Sequence, residues 1–140
     1  MPIPFPPLIQ WHSAYSVGID SIDSQHKLLV SMIRLLQEAM QESNARSVAT
    51  PLFQAMHEYT KVHFAYEEQL LEEHGYAELA SHKALHAAFL AKLQEFEQKH
   101  AAGALVTGAP LMQFLRTWLI DHICSSDKAY AGLLKEKGVV

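Results

Sequence analysis

Apolar residues recur at spacings of three and four over four long stretches of this chain, the pattern of helices that each bury one face. The first stretch begins near Asp20 or Ser21 and ends around Gln41–Ser43, with His26, Leu29, Ile33, Leu36 and Met40 on one stripe. The second is predicted to start with Thr50 as cap and Pro51 in the first turn, where a missing N–H costs nothing. Its stripe is Phe53, Met56, Thr60, His63, Glu67 and Leu70, and Gly75 stops it. The third runs from about Ala77 to Lys99 with Leu79, His82, His86, Phe89, Leu93 and Phe96 along one side. The fourth starts at Pro110, carries Leu111, Leu115, Trp118, Leu119 and His122, and continues to about Glu136 before Gly138. Ala101–Ala109, with Gly103 and Gly108, reads as a loop. Residues 1–19 read as an extended arm, because four prolines in the first seven positions forbid helix; Trp11 and Tyr15 are expected to pin it to the core. The prediction is an all-α protein: an extended N-terminal arm (1–19) and an antiparallel up-down-up-down four-helix bundle (20–140).

Composition narrows the function classes. A 140-residue chain that is 49% hydrophobic suits one domain with one core. A net charge of −4 with interspersed acids and bases speaks against a nucleic-acid partner. Cys124 is the one cysteine, which excludes an internal disulfide framework and fits a reducing compartment. The proline-broken start does not read as a signal peptide, and no apolar run approaches the roughly 20 residues of a membrane span. A cytoplasmic protein is expected.

The chemistry lies in the polar groups that interrupt the apolar stripes. His26, His63, Glu67, His82 and His86, and His122 all fall on core-facing positions, with Asp127 nearby. A polar group in a bundle core is costly unless it is paired or coordinates something. One such histidine is an ordinary hydrogen-bonded core residue, and with nine histidines the pair His82–His86 alone carries little weight. Groups of this kind on every helix are most simply satisfied by a shared metal. His63 and Glu67 are four apart and share a face, as do His82 and His86. His122 and Asp127 are five apart, about 140° off-face in a regular helix, so either Asp127 reaches round or the helix has a wide turn there. The zinc-protease His-Glu-x-x-His motif is absent, and structural zinc would want four ligands with cysteine. Two octahedral ions offer about twelve positions; five imidazoles, two bridging carboxylates and a bridging oxygen leave about one open.

The order His26, His63-x-x-x-Glu67, His82-x-x-x-His86, His122-x-x-x-x-Asp127 resembles the hemerythrin pattern, including the five-residue step. So do Val17-Gly18-Ile19-Asp20, Ile22-Asp23-x-Gln25-His26, Gly75-Tyr76, Trp118-Leu119-x-x-His122-Ile123 and Asp127-Lys128-x-Tyr130. The likeness covers roughly residues 11–134 and is strongest to the bacterial single-domain members; myohemerythrin is itself an up-down-up-down bundle. The resemblance implies a non-haem di-iron centre, oxo- or hydroxo-bridged, that binds dioxygen reversibly. By position it assigns His82, His86 and His122 to one iron, His26 and His63 to the other, and Glu67 and Asp127 to both as bridges. Phe64, Trp118 and Leu119 would line the dioxygen pocket, a role compatible with plain core packing.

Oxygen carriage, storage or delivery by a non-enzyme is therefore the expected function, with an oxygen-consuming enzyme as candidate partner and a monomer as the default state. Ferritin-like di-iron enzymes carry more carboxylates than histidines, whereas here five histidines face two carboxylates. The alternatives are an O2, NO or redox sensor acting through a partner, an NO- or peroxide-consuming enzyme or iron donor, and a zinc or structural bundle. His12, His57, His74 and His100 are expected at the surface or at helix ends. Glu68 is expected to face solvent, Glu72, Glu73, Lys61 and Lys83 to form a solvated face, and Cys124 to point away from the centre.

Overall fold

The computed structural model of the protein describes residues 8–40, 45–102 and 109–140. The expected first-helix end at Gln41–Ser43, the arm residues Ile3 and Phe5, and the 103–108 stretch of the loop lie outside them. The elements are a 3-10 turn Ser13–Tyr15, then α1 Asp20–Met40, α2 Ala45–Glu73, α3 Leu79–Ala101 and α4 Ala109–Asp121. A six-residue π segment His122–Asp127 comes next, and α5 Lys128–Glu136 closes the chain. The last three form one long fourth rod, so the fold is an all-helical four-helix bundle, with no strand among the described residues. No helix among the described residues is long and apolar enough to cross a membrane.

The ends of α1 and α2 are set by local hydrogen bonding. Asp23 sits in the first turn of α1, and its carboxylate accepts from the backbone N–H of Val17 and the hydroxyl of Ser16, folding the arm back over the helix start. The turn between them needs φ +77° at Gly18, which suits a residue without Cβ. At the end of α2, Gly75 takes φ +69° and the Tyr76 N–H reaches the Leu71 carbonyl at 2.9 Å, a Schellman-type stop. His74 adds its ring, Nδ1 lying 2.8 Å from the Leu70 carbonyl oxygen.

Three expectations need correction. The second helix begins at Ala45, which places Pro51 inside it rather than at its start. Proline's fixed φ is helical, so one backbone bond is lost without breaking the helix. Thr50 does not cap: its Oγ1 lies 2.9 Å from Nε2 of His100, across on α3. His100 lies in the last turn of α3, one of the two positions expected for it, but buried, with its ring 5.4 Å from that of Phe53. The third helix is shifted by two residues at each end relative to Ala77–Lys99.

The core is the union of the apolar stripes. Leu29, Ile33 and Leu36 of α1 meet Phe53, Met56 and Phe64 of α2, Phe89 and Leu93 of α3, Leu111 and Leu115 of α4, and Leu134 of α5. Trp11 and Tyr15 pack against this core, and the Ile9 N–H donates to Gln37 Oε1 at 2.8 Å, so residues 9–15 lie along the bundle. Stacked and tilted aromatic contacts of Phe114 with Phe89 and Phe96 join α4 to α3.

Candidate metal centre

All seven predicted metal-site side chains are buried, and their ligand-type atoms converge inside the bundle. One group comprises Glu67, His82, His86, His122 and Asp127, each offering an atom within 4.8 Å of the others; a second comprises His26, His63 and Glu67. The two carboxylates face both groups. Glu67 Oε1 lies 3.1 Å from His86 Nε2 and close against His82 Nε2, while its Oε2 lies 3.3 Å from His63 Nε2. Asp127 Oδ1 lies 3.0 Å from His122 Nε2 and 3.2 Å from His82 Nε2, and its Oδ2 lies 3.1 Å from His26 Nε2. Each carboxylate thus turns one oxygen to each set of histidines.

The five-residue step is absorbed by the backbone. His122–Asp127 is wound as a π segment, with the Lys128 N–H directed to the Ile123 carbonyl five residues back. The wider turn brings Asp127 onto the face that His122 occupies; of the two options open in the sequence, the wide turn is the one adopted.

A donor set of this kind suits a cation better than it suits itself. Both Asp127 oxygens are buried without a hydrogen-bond partner, although three imidazole nitrogens stand within 3.2 Å. Nε2 atoms of His86 and His122 face each other at 3.1 Å. Close approach without donor geometry is expected of atoms that share a central ion.

Electrostatics agrees. Burial favours neutral Glu67, but contacts with His63, His82 and His86 hold its carboxyl well below the usual range. Burial and the Glu67 charge both oppose ionisation of Asp127, yet His122, His26 and His82 keep it low as well. Burial favours neutral His82, but Asp127 and Glu67 override it and raise its pKa to about 9. His63 is lowered, chiefly by burial. Two buried carboxylates therefore demand positive charge, and without a cation they draw a proton onto His82.

The outer partners carry no local signal in the sequence. His63 Nδ1 pairs with Gln25 Oε1, and His86 Nδ1 lies 2.9 Å from Glu68 Oε2, so Glu68 is not simply a solvent-facing acid. Buried Tyr130 donates its hydroxyl to Glu67 Oε2 at 2.9 Å. Burial, with the nearby carboxylates, pushes the Tyr130 pKa well up, so it stays a neutral donor. Gln25 and Tyr130 stand within recognised motif contexts, and Glu68 adjoins Glu67, but nothing local in the sequence gives them a partner.

Of the predicted pocket residues, Phe64 stacks flat on His86 at 3.7 Å and Trp118 stacks on His122 at 4.4 Å. Leu119 is buried in the core on α4. A surface groove of about 840 Å³ runs between α3 and α4, walled by Leu85, Phe96 and Phe114, and reaches Trp118 and His122. The off-pattern histidines lie elsewhere: His12 caps the 3-10 turn through the Ala14 N–H, and His57 pairs with Glu97 at 3.4 Å. Cys124 is half-buried.

Residues 17–134 match the model of the hemerythrin HHE cation-binding domain. The chain is 36% identical over 128 residues to a bacteriohemerythrin of Stenotrophomonas maltophilia (strain R551-3), covering 91% of this chain and 82% of that one. A bacteriohemerythrin of Methylococcus capsulatus is 30% identical, with 91% and 97% covered. The crystal structure of a wild-type hemerythrin superposes with a TM-score of 0.84 at 30% identity, covering 91% of this chain and 98% of the other.

Proposed function

The chain belongs to the hemerythrin family, and on that premise we propose that it holds two iron ions and binds dioxygen reversibly, for carriage, storage or delivery to an oxygen-consuming enzyme. His82, His86 and His122 would hold one ion and His26 and His63 the other, with Glu67 and Asp127 bridging. The observation that carries this reading is the division of each carboxylate, one oxygen toward each histidine group. When bound, iron supplies a redox-active position that a diatomic ligand can enter and leave.

The chain's own residues prepare that site. Gln25 on His63 and Glu68 on His86 fix the tautomer, leaving Nε2 of each ring as the lone-pair donor facing inward. Phe64 and Trp118 clamp the rings of His86 and His122 by stacking, which fixes their orientation. Leu119, buried one turn before His122, would complete an apolar lining around a bound ligand. Five imidazoles to two carboxylates give less anionic donation than carboxylate-rich di-iron enzymes have, which favours binding over oxidation of a substrate.

The test is metal analysis of purified protein together with visible spectra. About two irons per chain are expected, and reduced protein mixed with O2 should develop a charge-transfer band that disappears on degassing. Oxidation that never reverses, or steady consumption of NO or peroxide, would replace the carrier by an enzyme; stoichiometric zinc would replace the whole reading.

A further inference from the structure

The groups behind the seven side chains are distributed unequally between the two halves of the centre. On the three-histidine half, His86 Nδ1 lies 2.9 Å from a carboxylate, that of Glu68. On the two-histidine half, His63 Nδ1 meets the neutral amide oxygen of Gln25, and His26 Nδ1 is buried with no hydrogen-bond partner among the described residues. Tyr130 adds to the difference, because its hydroxyl donates to Oε2 of Glu67, the oxygen turned to His63, and not to Oε1, turned to His82 and His86.

Each contact has a known sense. An imidazole whose N–H is held by an anion gains imidazolate character and becomes a stronger donor at its other nitrogen; a neutral acceptor does this less, and no acceptor not at all. A hydroxyl bonded to a carboxylate oxygen withdraws electron density from it. All three contacts therefore point the same way. We propose that the outer partners polarise the centre. The His82–His86–His122 half is electron-rich and holds the more oxidised iron, while the His26–His63 half is electron-poor and keeps its iron ferrous. Glu68 and Tyr130 are the positioning residues that set this difference. The proposal rests on the two-iron reading above and adds to it an order: a one-electron oxidant such as ferricyanide, itself reduced to ferrocyanide, takes its electron from the three-histidine half first.

The test uses full-length protein and two variants whose effects differ in sign. Glu68→Gln retains an amide oxygen for the His86 Nδ1–H and removes only the charge. It should raise the midpoint potential of the lower one-electron step in a mediated redox titration. Ferric iron should also leave to a competing chelator about 10–100-fold more readily. Tyr130→Phe removes the withdrawing hydroxyl and should lower the potential of the higher step. Both variants thus narrow the gap between the two steps and shrink the mixed-valence electron paramagnetic resonance signal. A purely structural role would lower the melting temperature without these opposed shifts. Both potentials unmoved, or moved in the same direction, with two irons per chain retained, would overturn the proposal and leave the functional reading intact. Wild-type protein that takes up no iron overturns both. Glu68 is a quarter exposed, so Glu68→Gln carries the test alone if Tyr130→Phe fails to fold.

Discussion

Asp127 shows at the scale of one residue what the centre requires: two buried oxygens, three imidazoles nearby, and no hydrogen bond to either oxygen. Removing an imidazole should therefore remove metal. His122→Ala is expected to lose at least one iron per chain and to collapse the visible spectrum, whereas His57→Ala, whose ring pairs with Glu97 away from the centre, should keep both ions. Metal analysis of the two proteins side by side checks this, and an unchanged spectrum in the first sinks the assignment. Six of the seven inward-facing ligand candidates were legible in the sequence because each interrupts an apolar stripe; Asp127, off-face in a regular helix, was legible only through the family resemblance. Their outer partners were not, because Glu68 meets His86 across 18 residues of sequence, Gln25 meets His63 across 38 and Tyr130 meets Glu67 across 63. Pairing at such distances is decided by how helices pack, which periodicity does not report.

At the scale of the element, α2 contains a conflict between propensity and packing. Pro51 is the seventh residue of the helix and is exposed, so its lost backbone bond is not offset by burial of its ring. An interior proline costs about 3 kcal/mol, offset by up to about 1 kcal/mol from a stiffer unfolded chain and further by its closeness to the helix start. Pro51→Ala is expected to stabilise the protein by about 1–2 kcal/mol, read from urea unfolding; a loss of stability would mean that the proline is needed to place the chain before it. The sequence suggested a helix start at Pro51, since proline in a first turn is the common case. The longer helix is held by contacts on either side of the proline: Phe53 and Met56 sit in the core, and Thr50 is tied to His100.

At the scale of the whole molecule, the buried charges make metal loading and pH one problem. In the metal-free protein Glu67 and Asp127 have depressed pKa values, so they add stability above the ordinary carboxylate range and lose it as pH falls. His82 is raised to about 9, so its contribution is fully present below about 6.5 and is lost as pH climbs through 9. His63 is lowered, so its contribution is present above about 6.5 and is lost as pH falls. Metal-free protein should therefore be most stable near pH 6.5, losing melting temperature on either side. A metal must displace the His82 proton, so loading should release protons at pH 7 and tighten as pH rises toward 9. Thermal melts with and without iron, and calorimetry in buffers of different ionisation enthalpy, measure both; affinity that falls over this range would contradict the sign.

The π segment also has a consequence in time. A turn wound one residue too wide gives up regular backbone bonding over His122–Asp127, and two of its side chains point into the centre. Its wider backbone bonds leave the stretch more dependent than a regular turn on what those two side chains would hold. Its amides should be the first of the fourth rod to exchange with deuterium once the centre is stripped. Refilling the centre should slow them far more than those of Leu111 or Leu115. The chain would then carry, in six residues, a clock that runs fast when empty and slow when loaded.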